Sequence, residues 1–387
     1  MSGATVLFLR CRAGEEKHRR KLAGAMRFAR TQNWTVVAVP VRESRPGEVR
    51  ALIARHRAVG CIVESSGKAG GLAPEIFGET PAVWLDPPGT LPWSGVPVVQ
   101  CDNAAVARAA FGEISAGMPE SLAAVPSHGM QSWSSERIDA FRALCEEAGK
   151  PCRVFPGVVV RPGRVRDDLV RRRNRLAAWL ESLPPRCAIF AANDYSAADV
   201  AVAAERAGRA MPRDITLVGV DCAAGDVTGA GTAPERISSV QVDFELSGYL
   251  AAKALAEKTE RSFFGPLLVA RRESTSGRGR RDPHVMEAVG IIRREAASGL
   301  SAAALAAQVP GSRKHFERRC REATGHSVMD EIMQVRLQIA IDLLSRPVPP
   351  RDSIADFCGF GSQVELRIAF RRRMGTSMRQ FRRNHAR

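Results

Sequence analysis

The stretch FCGFGSQVELRIAFRRRMG, Phe357–Gly375, decides how the last part of the chain folds. Gly359 and Gly361 bracket Phe360 and read as a tight turn. Ser362 follows in a helix-capping position. Leu366, Ala369 and Phe370 then recur at helical spacing as an inward stripe. The opposite face carries Gln363, Val364, Glu365, Arg367, Ile368, Arg371 and Arg372, and Gly375 ends the helix. A short helix capped by Ser353 and reaching Cys358 precedes the turn. Two helices joined by a short glycine turn make a helix-turn-helix.

Working backward, the same unit occurs once more. SAAALAAQ reads as a short helix capped by Ser301, VPG breaks it, and Ser312 caps RKHFERRCREAT, which Gly325 ends. Phe316, Cys320 and Ala323 form its apolar stripe; Arg313, Lys314, Glu317, Arg318 and Arg321 form its exposed face. VMEAVGIIRREAAS supplies a helix before this unit. The helix SVMDEIMQVRLQIAIDLLSR links the two units, with Ile332, Val335, Ile339 and Leu343 inward and Pro347 beyond its end.

The charge of this region points to its partner. The chain has a formal net charge of +16, and residues 283–387 alone hold 18 Arg and Lys against 10 Asp and Glu. A helix seated in the major groove needs an apolar face to anchor it and donors on its exposed face. Gln363 and Glu365, early in the second basic helix, are placed to meet base edges; Arg371 and Arg372, two turns later, are placed to meet phosphate. Ser362 at the helix start and Arg367 beside Ile368 complete that candidate surface. The competing reading is a solvated helical bundle with an arginine bias, and the repetition of the unit argues against it.

The front of the chain follows another rhythm. TVLFL, WTVVAVPV, GCIVE, PAVWL and VPVVQCD alternate with helical stretches at about 17–31 and 47–56. SLAAVPS, CRVFPGV, CAIFAAND and ITLVGVD alternate with helices at 135–149, about 168–182 and about 197–208. Short β-rich runs alternating with helices give parallel sheets covered on both faces. Two cycles predict an α/β two-lobed sensor built from two doubly wound parallel sheets, followed by an all-α domain with two helix-turn-helix units. The polar run ARRESTSGRGRRDP marks the boundary, giving 1–270 as sensor, 271–283 as linker and 284–387 as the helical domain.

In doubly wound sheets ligands sit beyond the carboxyl ends of strands. Asn193 and Asp194 follow CAIFAA, Asp221 follows ITLVGV, and Arg137 opens the helix after SLAAVPS, with Trp133 just before it. Guanidinium and carboxylate groups bind pairs of hydroxyls and an indole offers a face to sugar C–H surfaces. Asp194 is alternatively a helix cap, Arg137 a surface residue and Trp133 a packing residue. Asp102-Asn103 reads as a helix cap near a hinge.

Bulk composition bounds the remaining possibilities. With 387 residues, 45% of them apolar, the chain holds several domains with real cores. Its apolar runs fall short of the about 18 residues of a membrane span. The start MSGATVLFLRCRAGEEKHRR lacks the basic lead and cleavage site of a signal peptide. Nine scattered cysteines without a CxxC pair suggest reduced thiols and a cytoplasmic setting, with no metal or cofactor expected. GxSxG, HExxH, GxxxxGK[ST] and a full GxGxxG are all absent from the sequence. An enzyme reading rests only on Cys11 and Cys222, which follow strands and would serve a small-molecule-binding α/β enzyme with a basic helical accessory domain.

Residues 285–384 resemble the AraC/XylS family of transcription regulators, through SIADFCGF with SQVELRIAFRRRMGTSMRQFRR, ALAAQVPGSRKHFERRCREATG and IMQVRLQIAIDLL. The chain departs from that family's usual residues at Ile368 (usually arginine), Arg367 (serine), Cys320 (phenylalanine) and Met378 (proline). Residues 1–270 resemble the periplasmic-binding-protein-type sensor of LacI-like regulators, through VPVVQCDN, WSSERIDAFR, RLAAWLESLPP, AIFAANDYSA, ITLVGVD and ISSVQVD. The order of the two parts is that of the xylose-operon regulator type. The resemblance implies that the two helix-turn-helix units insert into successive major grooves on one face of double-stranded DNA, and a homodimer with two tails on two half-sites is expected. It implies a monosaccharide effector held at Arg137, Asp194 and Asp221, RNA polymerase as a further partner, and activation as the direction of control.

Overall fold

The computed structural model describes residues 3–10, 16–41, 45–64, 72–87, 91–116, 119–129, 131–157, 165–222, 236–275, 283–324, 326–344 and 353–385. Cys11, most of the linker, Gly325 and Pro347 therefore lie outside the described residues.

The first lobe is a sheet in the order β11-β5-β4-β3-β1-β2. Its strands are β1 (Ala4–Arg10), β2 (Trp34–Pro40), β3 (Ala58–Glu64), β4 (Ala82–Leu85), β5 (Val98–Cys101) and β11 (Arg261–Phe264). All its pairings are parallel. The second lobe runs β12-β10-β9-β8-β6-β7. It comprises β6 (Ser121–Val125), β7 (Cys152–Val154), β8 (Cys187–Ala191), β9 (Ile215–Val220), β10 (Ser238–Val242) and β12 (Pro266–Ala270). Here β12 alone runs antiparallel, against β10. Strands such as β8 and β9 are buried along their whole length, so they read as continuous apolar runs rather than alternating ones.

The lobes are not consecutive in sequence. The chain leaves the first lobe after β5, builds the second through β10, and returns in α7 (Phe244–Glu257) and β11 before crossing again at Gly265. The crossings meet in a hydrogen-bonded hinge. Asp102 N–H donates to Phe264 O at 2.7 Å and Asp243 N–H to Gly265 O at 3.0 Å. The same two aspartates cap the next helices, through Ala105 N–H onto Asp102 of α3 (Asn103–Ser115) and Leu246 N–H onto Asp243 of α7. The cap expected at Asp102 is thus present, and it sits in the hinge.

In the first lobe, α1 (Glu16–Thr31) packs against the returning α7. A Cβ at Gly24 would overlap Glu245 O, and one at Gly248 would overlap Lys21 O, so the backbones touch because both positions are glycine. This fixes the first turns of α1, which carry His18 and Lys21, over the ends of the sheet. The remaining sensor helices are α2 (Pro46–His56), α4 (Ser132–Glu147), α5 (Val165–Glu181) and α6 (Asp194–Arg206).

The helical domain comprises α8 (Pro283–Glu295), α9 (Ala302–Ala307), α10 (Arg313–Thr324), α11 (Val328–Leu344), α12 (Ile354–Cys358), α13 (Gln363–Met374) and α14 (Met378–His385). It has two cores. Val285, Ile292, Leu305, Phe316 and Cys320 centre the first; Leu366, Phe370 and Phe381 centre the second. The linking helix α11 serves both, with Val328 and Ile332 in the first and Leu337, Ala340, Ile341 and Leu344 in the second. A single inward stripe was too narrow a reading for a helix buried on two sides.

Candidate functional site: an interlobe cleft and two basic helices

The candidate cleft is bordered by charged groups that follow the carboxyl ends of strands in the two lobes. Arg137, in the first turns of α4, is 4% exposed. Its Nε donates to Asn103 Oδ1 at 2.9 Å and one terminal nitrogen donates to Ala192 O at 2.8 Å. That nitrogen also lies 3.6 Å from Asp221 Oδ1, an atom with no hydrogen bond among the described residues. Trp133 lies under the guanidinium, 4.8 Å from ring centre to Cζ. Burial opposes the charge on Arg137, but Asp221, Cys101 and Asp86 of the other lobe outweigh it and raise the guanidinium above its ordinary value. One buried cation therefore sits in the field of carboxylates from both lobes.

Sequence reasoning did not single out the charged residues on the first-lobe side. Asp86 follows β4 as Asp221 follows β9, and both have positive φ, 52° and 98°. Lys21 Nζ reaches Asp86 Oδ2 at 2.9 Å and Glu64 Oε1 at 3.1 Å. His18 Nδ1 is 2.6 Å from Glu64 Oε2. Burial alone would raise the Glu64 carboxyl, but Lys21 and His18 outweigh it and hold it at about 2. Lys21 is raised above its ordinary value: burial opposes its charge and the two carboxylates prevail. The signal was available, because Asp86 directly follows β4 as Asp221 follows β9, and Glu64 is the last residue of β3.

The predicted second-lobe residues divide by role. Asn193 is the cap of α6, its Oδ1 accepting from Ser196 N–H at 3.0 Å. Asp194 is the first helical residue rather than the cap, and it is 3% exposed. Its Oδ1 accepts from Ser239 Oγ at 2.8 Å, and that hydroxyl accepts from Cys222 N–H at 3.0 Å. Asp194 is thus tied through Ser239 to the turn that carries Asp221. Burial pushes the Cys222 thiol up to about 11, so it stays protonated at neutral pH and is no ready nucleophile.

In the helical domain, Ser301, Ser312 and Ser362 accept from the N–H groups of Ala304, His315 and Glu365 at 3.0, 3.3 and 3.1 Å. Ser353 differs from expectation: its hydroxyl donates to Gln363 Oε1 at 3.1 Å instead of capping its own helix. Gln363 Oε1 also accepts from Ala355 N–H at 3.4 Å, and Glu365 Oε2 accepts from Gly361 N–H at 3.0 Å. The two side chains placed to read bases thus brace the turn in this conformation. Arg313 and Glu317 pair with each other at 2.9 Å, and Arg318 meets His315 at 3.1 Å. Lys314, Arg367, Arg371 and Arg372 are exposed.

The two units are locked together. Gly359 has φ 76°, and a Cβ there would overlap Ala296 O in the 3-10 turn after α8. Arg336 of α11 donates to Ala296 O at 3.0 Å and Leu300 O at 2.7 Å, with Phe360 stacked on its guanidinium. These contacts set the spacing of the two basic helices.

The helical domain also grips the sensor. Arg271 lies 2.8 Å from Glu113 of α3 and 3.7 Å from Glu331 of α11. Gln334 of α11 donates to Val269 O of β12 at 2.6 Å, and Leu268 enters the second helical core. At the other end, α14 meets α1 and α7 of the first lobe.

Comparison with known proteins agrees with this architecture. Residues 116–275 match a periplasmic binding protein-like domain and residues 305–384 a helix-turn-helix domain. The xylose operon regulatory protein of Escherichia coli (strain K12) is 27% identical over 293 residues, spanning 73% of each chain. The chain is homologous to the xylose operon regulatory proteins. The Haemophilus influenzae protein of that name is 26% identical over 300 residues, 74% of this chain and 75% of its own. The solved structure of the xylose-binding transcription activator XylR shares the fold along the full length of both chains, with TM-score 0.55 and 21% identity. Among the described residues no helix is long and apolar enough to cross a membrane.

Proposed function

We propose that this chain is a cytoplasmic, ligand-responsive and sequence-specific DNA-binding transcription regulator without catalytic activity. Its effector is a monosaccharide or monosaccharide derivative, and D-xylose is the first candidate because of the relatives' names. The observation that carries the reading is the docking of one two-unit helix-turn-helix domain on both lobes of a clefted sensor. Arg137 with Asp221 on one lobe and Asp86 on the other supply paired donors and acceptors, the chemistry that vicinal hydroxyls need. A ligand bridging those groups favours one lobe separation. Because α14 rests on α1 and α7 while α11 rests on β12, that separation bears directly on the pose of the helical domain. A ligand shifts such an equilibrium only by its differential affinity for the two arrangements.

In this reading the protein acts as a homodimer on two half-sites. Arg371, Arg372 and the exposed cations of α10 neutralise phosphate, and the helix starts face the bases. Activation through contact with RNA polymerase is the direction proposed. The test is selection of a binding site by the full chain from random duplex, followed by affinity measurement across salt. A recurrent motif with a steep salt slope is expected. Failure to bind duplex at low salt overturns the reading.

A further inference from the structure

We infer that α13 reads thymine through its methyl groups, with Val364 and Ile368 as the specificity-determining pair; the inference rests on the DNA-binding reading above. Val364 and Ile368 are 60% and 64% exposed, more than the other large apolar side chains on the described surface. They stand four residues apart on one helix face. At 3.6 residues per turn, Val364, Ile368 and Arg371 run down the middle of the exposed arc, with Arg367 on one flank and Arg372 on the other. Leu366 and Phe370 anchor the opposite side in the core.

The two side chains with hydrogen-bonding heads at the start of this helix are engaged within the chain. Gln363 is held by Ser353 and Ala355, and Glu365 by Gly361. What α13 presents centrally near its N-terminus is therefore apolar and β-branched. Arginines ring this pair, so the occupant that fits is a polyanion offering apolar points within a charged frame. The major groove of B-DNA meets that description, because the thymine C5-methyl is its apolar marker and phosphates form its walls. Four residues of helix advance about 6 Å, which spans about two base-pair steps. The pair thus selects two thymines about two steps apart, on the half of the site held by the second helix-turn-helix.

The test uses the full chain and its selected duplex. Each selected thymine in the part of the site held by the second helix-turn-helix is replaced by deoxyuridine, which keeps Watson–Crick pairing and removes only the methyl. Affinity is expected to fall about fourfold per methyl, the transfer value of one buried carbon. In Val364→Ala or Ile368→Ala the matching uracil substitution should cost little, because the partner of the methyl is gone. Both side chains are exposed, so neither substitution threatens the fold. Wild-type binding that ignores uracil at every position overturns the inference and leaves the DNA-binding reading standing. So does an Ile368→Ala variant that keeps the full thymine preference while losing self-association, because that assigns the face to a second copy of the chain. Absence of any duplex binding overturns both.

Discussion

Replacing Lys21 with methionine removes the buried cation that holds Glu64 and Asp86 on the first-lobe side of the cleft. Its ammonium lies 3.1 Å from one and 2.9 Å from the other, and the side chains of Lys21 and Glu64 are 4% and 5% exposed. Methionine fills the space but leaves Glu64 charged, buried and, among the described residues, paired only with His18. Breaking a buried pair from one side costs about 3–5 kcal/mol. Acid gives an independent arm. The Glu64 carboxyl is depressed from 4.5 to about 2, so its contribution is complete above about pH 4.5 and is lost as pH falls toward 2. A drop of that size is worth about 3 kcal/mol. Urea denaturation, read through the buried Trp84 of the same lobe, should show Lys21→Met less stable by about 3–5 kcal/mol at pH 7. The gap should narrow steadily between pH 5 and pH 2.5, because the variant has little carboxylate stabilisation left to lose. A gap under about 1 kcal/mol at pH 7, or one unchanged by acid, refutes the claim that Lys21 is the counter-ion organising this side of the cleft.

Asp221→Asn keeps shape and tolerates the positive φ, so the fold should survive while the transcriptional response to effector disappears; calorimetric effector titration checks it. Gly359→Ala forces a Cβ into φ 76° and against Ala296 O, which should cost about 2–4 kcal/mol and weaken duplex affinity through the spacing of the basic helices. Thermal melting and duplex titration of the same variant check both effects. Arg371→Ala and Arg372→Ala should each weaken binding to selected and random duplex alike and flatten the salt slope by about one unit; a change of selected motif would contradict that assignment.

The helical domain was legible in sequence because its signals are local. Serine caps, Gly359 and the Leu366–Phe370 stripe each lie within a few residues of the element they define. What escaped was long-range. Burial of α11 on two sides follows from its place between two cores, and Gln363 is drawn back by Ser353 and Ala355 on the preceding helix. The two α/β lobes were legible from alternation, but not the return of α7 and β11 to the first lobe, since nothing in RSFF says which sheet edge it joins. The second-lobe candidates were singled out because they follow strands. The same rule applied to PAVWLD would have added Asp86 to the candidates. Lys21, in the second turn of a polar-rich helix, carries no such mark, because its place comes from where Gly24 and Gly248 let α1 lie.

The central claim is that cleft and basic helices are coupled. The direct measurement is the affinity of the full chain for its selected duplex with and without a saturating sugar, taken through a monosaccharide panel beginning with D-xylose, together with the affinity for that sugar with and without duplex. The account predicts that one sugar changes duplex affinity and that duplex changes affinity for that sugar by the same factor, about 5–150-fold. Sugar bound in the cleft with duplex affinity unchanged, or sugar converted to product by the purified protein, would contradict it.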